Sequence, residues 1–442
     1  MASVGLVIVL IGLHTGVSVA EGQTVLVPYA LALLGSIIIY AAAWRNLNGS
    51  VVTSLALVGF LIVAHLAITL ITNPSDILDR VRSTGIFVAS ILIGGAAFLS
   101  VRSISTAVFE RIFLIFAIIC ITGAMLDLYT FVGSISDEFR QSVNSWRSVY
   151  ENDTRDILNY GGRRPKFFAS EPSALGFSIY ISLLAWYCSR SATTARFFQY
   201  FVLTAVAAVF VRSPTVIIGF CIGSALGYIV RPNLGYMRVA VIVAIALLFS
   251  LLPVFWSHFY TSNSLSGYLS TGSMFMRGAA PALMAVETFS ERPLFGFGVG
   301  DSASLDLAVR QVFFDSGAAI RYRYLSDFSG RSLLTNAAWE FWIYFGIFGG
   351  LAIGAAIWKM LKSMRSQYPI LLLAFGSLIW NTFGGINTPI PWVALLILPA
   401  LFYRQTGIVN QGKGRAPRPL DGRHQRFEKK GDAKRSSAAV WR

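Results

Sequence analysis

Stretches of apolar residues, each long enough to cross a bilayer, recur from one end of this chain to the other. A hydrocarbon core about 30 Å thick takes roughly 20 apolar residues in a helix. Within it every backbone N–H and C=O must be satisfied internally, which leaves helices or closed barrels. Barrel strands show alternation over roughly ten residues, and none is visible here. Twelve runs fall near residues 2–20, 25–44, 51–72, 85–101, 112–133, 172–188, 197–211, 214–230, 239–256, 336–360, 368–383 and 390–403. The expected fold is an all-α polytopic membrane protein with twelve transmembrane helices and two large extracytoplasmic loops. Charged residues make up 13% of the 442, against about 25% in soluble domains.

The first run has a second reading. Ser18-Val19-Ala20 before Glu21 resembles a signal cleavage site, but no Lys or Arg precedes the apolar core. A signal peptide needs that positive start, so 2–20 reads as the first membrane helix.

Twelve helices return both ends to one side, and basic residues choose the side. Arg45, Arg102, Arg111, Arg190, Arg196, Arg231, Arg238, Lys359, Lys362 and Arg365 fall in alternate short connections or at their edges, and a basic tail follows Arg404. That set is expected to be cytoplasmic. The other set holds Glu21, the 73–84 connection with Asp76, Asp79, Arg80 and Arg82, the Arg212 turn and two long polar stretches. The chain then divides into helices 1–5 (1–134), a first large loop (135–171), helices 6–9 (172–256), a second large loop (257–335), helices 10–12 (336–403) and a disordered tail (404–442). The net charge of +15 is explained by this distribution and by contact with anionic lipid, so nucleic acid is not an expected partner. Cys120, Cys188 and Cys221 lie in apolar runs without ligand or disulfide spacing and read as small core residues.

Positive charge on the non-cytoplasmic side runs against the topology rule and calls for a reason. Arg147, Arg155, Arg163 and Arg164 lie in the first large loop, Arg212 in a tight turn between two apolar runs, and Arg277, Arg310, Arg321, Arg323 and Arg331 in the second loop. A guanidinium presents a planar fork that matches phosphate oxygens. Arg212 has almost no loop to retreat into; snorkelling to headgroups is its plain alternative. In Ser170-Glu171-Pro172-Ser173, Glu171 stands at the mouth of an apolar run. An acid there is costly to desolvate, and it reads either as a helix cap or as a general base. Arg292-Pro293-Leu294-Phe295-Gly296-Phe297-Gly298-Val299-Gly300-Asp301 does not have dinucleotide-loop spacing. It reads as a tight turn re-entering the membrane surface, with Asp301 capping the next segment. His14, His65, His258 and His424 are scattered, so no metal and no cofactor is expected.

Four segments resemble the O-antigen polymerase and ligase superfamily of bacterial envelope enzymes. They are FFASEPSALGF from Phe167, VRSPTVIIGF from Val211, MRGAAPALMAVETFSERPLFGFGVG from Met276 and TNAAWEFWIYFGIFGGL from Thr335. The resemblance implies a C-type (GT-C-like) membrane glycosyltransferase of the bacterial inner membrane, with its site facing the periplasm. Its donor and acceptor would be undecaprenyl-diphosphate-linked oligosaccharides, with membrane lipids and a chain-length regulator as further partners. Arg212 and Arg277 would hold the diphosphate, and Glu171 would act as base or orient the acceptor. Arg147, Arg163, Arg164, Tyr160, Tyr324 and Asn336 would line the substrate; Tyr322 and Trp339 are further stacking candidates, or interface anchors. Where the ligase branch has a histidine this chain has Thr335, and Ser-Glu-Pro-Ser is similar to the polymerase branch. A ligase using another acceptor and a flippase of lipid-linked oligosaccharide remain the alternatives. A flippase often shows repeated halves, and no internal repeat is visible.

Overall fold

The chain is mostly helical, as the apolar runs predict. The computed structural model describes residues 1–21, 24–44, 47–143, 156–157, 162–190, 193–229, 280–315, 330–364, 369–381, 384–398 and 401. In chain order the helices are α1 (Ala2–Thr15), α2 (Ala30–Ala43), α3 (Gly49–Thr72), α4 (Ile77–Ser103), α5 (Thr106–Tyr129), α6 (Val132–Val143), α7 (Pro172–Cys188), α8 (Thr194–Val211), α9 (Pro214–Ile229), α10 (Ala280–Glu291), α11 (Ser302–Asp315), α12 (Gly330–Leu333), α13 (Ala337–Ser363), α14 (Pro369–Trp380) and α15 (Pro389–Leu398). Five of them, α3, α4, α5, α8 and α13, are long and apolar enough to cross a membrane. Shorter apolar helices account for α1, α2, α7, α14 and α15, and for the 215–226 part of α9. The run at 239–256 lies outside the described residues.

Local chemistry sets the boundaries. Prolines open α7, α9, α14 and α15, the first-turn place where a missing N–H costs nothing. Asn48 Oδ1 accepts from Ser50 N at 3.1 Å at the start of α3, and Thr193 Oγ1 from Arg196 N at 3.2 Å at the start of α8. Helix α1 stops at Gly16, whose left-handed backbone (φ 65°) returns its N–H to Gly12 O. The apolar residues beyond it do not prolong the helix. Val19–Glu21 (β1) and Thr24–Val27 (β2) pair as an antiparallel ribbon, as suits their β-branched residues.

Helix α4 begins eight residues before the predicted run, so Asp79, Arg80 and Arg82 belong to its first turns and the 73–84 connection shrinks to 73–76. The stretches read as large loops contain helices α6, α10, α11 and α12. A polar sequence there concealed helices, of which α6 packs on α5, α10 on α13, and α11 on α10 and α12.

Helix α7 is buried on all sides from Leu175 to Cys188, the mark of a central helix. Helices α3, α5 and α8 turn large apolar residues outward, among them Phe60, Ile71, Ile119, Phe198 and Val209, as lipid-facing helices do. The tight turns between α3 and α4 and between α4 and α5 reverse the chain. One end of the bundle therefore holds the termini of α1, α3 and α5 and the starts of α4 and α7. At the opposite end Glu110 gathers Arg196 at 3.0 Å, Arg190 at 2.8 Å and Ser189 at 2.7 Å. These are residues the charge rule assigns to a common side.

Helix α13 is broken at Gly346 (φ 61°, ψ −166°). The segment after α10 fills the break. Phe297 N and Gly298 N donate to Ile343 O and Tyr344 O at 3.0 and 2.9 Å, while Ile347 N and Phe348 N donate to Pro293 O and Leu294 O at 2.7 and 3.1 Å. His65 adds a bond to Phe295 O at 2.8 Å. The glycine-rich turn thus re-enters the bundle, as its sequence suggests, and satisfies backbone groups that a broken helix would otherwise leave bare.

Candidate functional site

The segment 162–171 lies where α1, α5, α6, α7 and the α8–α9 turn meet. Its backbone is pinned from several sides. Lys166 N donates to Asp127 Oδ2 at 2.8 Å, Phe168 N to Ser136 Oγ at 2.8 Å, and His14 Nε2 bonds Phe167 O at 2.7 Å. Both Phe167 (φ 38°) and Phe168 (φ 63°) have left-handed backbone. For non-glycine residues such a conformation costs on the order of 1–3 kcal/mol each and persists only where the surroundings enforce it. The Phe167 ring lies so close on Gly123 of α5 that a β-carbon there would collide with it.

The arginines of this segment have acid partners. Asp137 of α6 accepts from Arg163 Nη2 at 2.9 Å, from Arg140, and lies 3.7 Å from Lys166 Nζ. Arg164 binds the buried Asp156 through Nε at 2.9 Å and Nη2 at 2.8 Å. Arg140, itself 1% exposed, reaches Ser170 O at 3.4 Å. Arg163 and Arg164 therefore serve first in an ion-pair network in which four cations share the carboxylates of Asp137 and Asp156.

Arg212 differs. It closes α8 with a left-handed backbone (φ 51°) and returns its N–H to Ala208 O at 3.1 Å. Glycine is the usual residue at such a cap, so the arginine adopts it at a conformational cost. Its guanidinium lies against Gly162, leaving no room for a β-carbon there. Among the described residues no carboxylate pairs with it. Ser213, next in the turn, packs on Gly176 in the first turns of α7. The turn thus rests on α7 through Ser213, while the guanidinium reaches the start of segment 162–171.

Glu171 ends the segment, and its carboxylate is exposed. It is the N-cap residue of α7, yet its side chain accepts no helix N–H; it accepts from the Ser173 hydroxyl instead. The capping reading therefore falls away, and the acid faces outward with no cation in ion-pair range among the described residues.

Asn336 has a structural place. It caps α13, with Oδ1 accepting from Ala338 N and Trp339 N at 3.1 and 3.2 Å and Nδ2 donating to Asn381 Oδ1 at 3.1 Å. Both ends of the amide are engaged in the fold. Arg147, Tyr160, Arg277 and Tyr324 lie outside the described residues.

A second buried ionic centre escaped the sequence reading. Arg80 and Asp301, both 0% exposed, pair at 2.5 Å. Asp301 also accepts from Asn73 Nδ2 at 3.2 Å, and its Oδ1 accepts from Ser304 N at 3.1 Å, capping α11. Arg292 approaches at 3.5 Å while lying over the Phe297 ring. The one signal in the sequence was Asp301 itself, directly after the glycine turn. Within α11, Arg310 binds Asp306 at 2.6 Å. Partial burial would raise the Asp306 carboxyl, but bonds from Arg310 and Gly330 N hold it below its ordinary range.

The fold and these charged ends define a predominantly helical, membrane-embedded protein. No protein-family model matches the chain, and no curated protein matches it.

Proposed function

We propose that this chain is a membrane glycosyltransferase that polymerises undecaprenyl-diphosphate-linked oligosaccharide repeats into a surface polysaccharide at the periplasmic face of the inner membrane. In this reading twelve helices cross the membrane, and the end bearing Arg212 and Glu171 faces the periplasm. The observation that carries the proposal is the pair of unmatched charges. Among the described residues Arg212 has no acid partner and Glu171 no cation, and they stand at the two ends of one pinned segment. Arg140, Arg163, Arg164 and Lys166 share the carboxylates of Asp137 and Asp156, whereas Arg212 has none among the described residues and is left for an anion from outside.

The chemistry follows from those charges. An acceptor hydroxyl oxygen attacks the anomeric carbon of the donor glycan, and the bond from that carbon to the diphosphate oxygen breaks. Undecaprenyl diphosphate departs with the electron pair, and Glu171 takes the hydroxyl proton. The departing oxygens gain negative charge, which a preorganised guanidinium stabilises without reorganising. Proton removal by a placed carboxylate contributes about 10²–10⁴-fold. The residues Ser170-Glu171-Pro172-Ser173, with Thr335 in place of the ligase histidine, favour the polymerase over the ligase.

The test is purified protein with undecaprenyl-diphosphate-linked repeats as sole substrate. Products forming a ladder of chain lengths support polymerisation. A product that requires a second acceptor makes the chain a ligase, and lipid-linked repeats that cross a vesicle bilayer without new glycosidic bonds make it a flippase.

A further inference from the structure

The turn at Phe167 and Phe168 has two successive left-handed residues, and its restraints come from three separate helices. His14 closes α1, Asp127 lies in the last turn of α5, and Ser136 is on α6. All three side chains are buried, with Ser136 at 0% and Asp127 at 2% exposed. Each bonds the backbone of a different residue in the row Lys166, Phe167, Phe168. His14 also reaches Ser178 Oγ at 3.0 Å through Nδ1. Ser178 lies two turns below Glu171 on α7. A carbonyl only accepts, so Nε2 carries a ring proton toward Phe167 O, while Nδ1 lies in hydrogen-bond range of the Ser178 hydroxyl, which also reaches Ala174 O at 3.1 Å. The ring therefore ties the turn to the helix that Glu171 opens.

We propose that His14, Asp127 and Ser136 are positioning residues: they hold the turn at Phe167 and Phe168 in its left-handed geometry and so fix where the Glu171 carboxylate stands. Two successive left-handed phenylalanines are unstable alone. Without a restraint the turn relaxes toward ordinary backbone, and Glu171, three residues on, swings away from Ser173. Segment 162–171 links the Arg212 contact to the acid, so its geometry sets the spacing between cation and base. This inference deepens the glycosyltransferase reading and rests on it for its consequence in turnover, but not for its consequence in structure.

The experiment labels full-length protein in detergent with a water-soluble carbodiimide and glycinamide, and follows modification of Glu171 by peptide mass spectrometry. Asp306 serves as the reference carboxylate. His14→Ala and Ser136→Ala are each expected to raise the Glu171 rate at least threefold with the Asp306 rate unchanged. His14→Gln, which keeps a donor for Phe167 O, is expected to stay within a factor of two of wild type. In the ladder assay His14→Ala should lower kcat at least tenfold with KM changed less than threefold, and His14→Gln should restore kcat. Should His14→Ala fail to insert, Ser136→Ala decides, since it removes a single oxygen. Glu171 labelling that is the same in wild type, His14→Ala and Ser136→Ala overturns the proposal, whatever the ladder shows. A wild-type chain that makes no ladder removes the polymerase reading, while the labelling rates still judge the turn.

Discussion

Deleting the Asp301 carboxylate should unlatch the re-entrant turn from the α3–α4 corner. Asp301→Ala leaves the Arg80 guanidinium fully buried, with its Nε already lacking a hydrogen-bond partner among the described residues. Breaking a buried pair from one side costs about 3–5 kcal/mol. Losing the acceptor for Ser304 N at the start of α11 adds about 1 kcal/mol. The expected loss is therefore about 4–6 kcal/mol. The double variant Arg80→Leu with Asp301→Leu removes both charges and should recover most of the pair's share, because apolar replacement of a buried pair is often neutral or better. Reversible unfolding in mixed micelles titrated with SDS, on wild type, both single variants and the double, measures these differences. A loss below about 1 kcal/mol for Asp301→Ala is the value of a solvated pair. That result, or a double variant no more stable than the singles, would refute the reasoning.

The same titration tests Gly346. Its backbone region is essentially restricted to glycine, and a β-carbon would lie 2.5 Å from Gly296 N, so Gly346→Ala should cost at least about 2–3 kcal/mol. Asn336→Ala should cost about 1 kcal/mol as the loss of a cap, and Asn336→Asp, which keeps the accepting oxygen, should lose less. The contact between α11 and α12 should depend on acid. Because the folded Asp306 carboxyl is held below its ordinary range, its contribution is complete above that range and disappears as pH falls through the lowered folded value. Hydrogen exchange at Gly330 N should accelerate over that interval in wild type, and Asp306→Asn should flatten the dependence.

The sequence displays the bundle better than its corners. Helix α7 occupies the predicted 172–188, and α3 and α8 depart from their runs by two or three residues at one end. There continuous apolar character leaves few choices. At α4 the charges of Asp79, Arg80 and Arg82 looked like loop, because the acid that accepts Arg80 is 221 residues away. No local pattern can announce such a partner. The first run failed for a different reason: Gly16 adopts a left-handed backbone that ends α1, and hydropathy carries no information about backbone handedness. At the site, Glu171 and Arg212 were visible because charge at the edge of an apolar run is costly. Asp127 and His14, inside such runs, carried the same signal, but their roles depend on the turn at Phe167 and Phe168, which only the assembled helices create. The pairing of Arg163 and Arg164 with Asp137 and Asp156 was likewise beyond sequence.

Arg212→Gly separates the arginine's side chain from its backbone. Glycine takes the left-handed cap without strain, so the variant should unfold at the same SDS fraction as wild type or a higher one. Given undecaprenyl-diphosphate-linked repeats, it should extend chains at least about 100-fold more slowly, the usual effect of losing one group that stabilises a developing anion. A folded Arg212→Gly protein that lengthens glycan at the wild-type rate would show that this guanidinium does not hold the diphosphate.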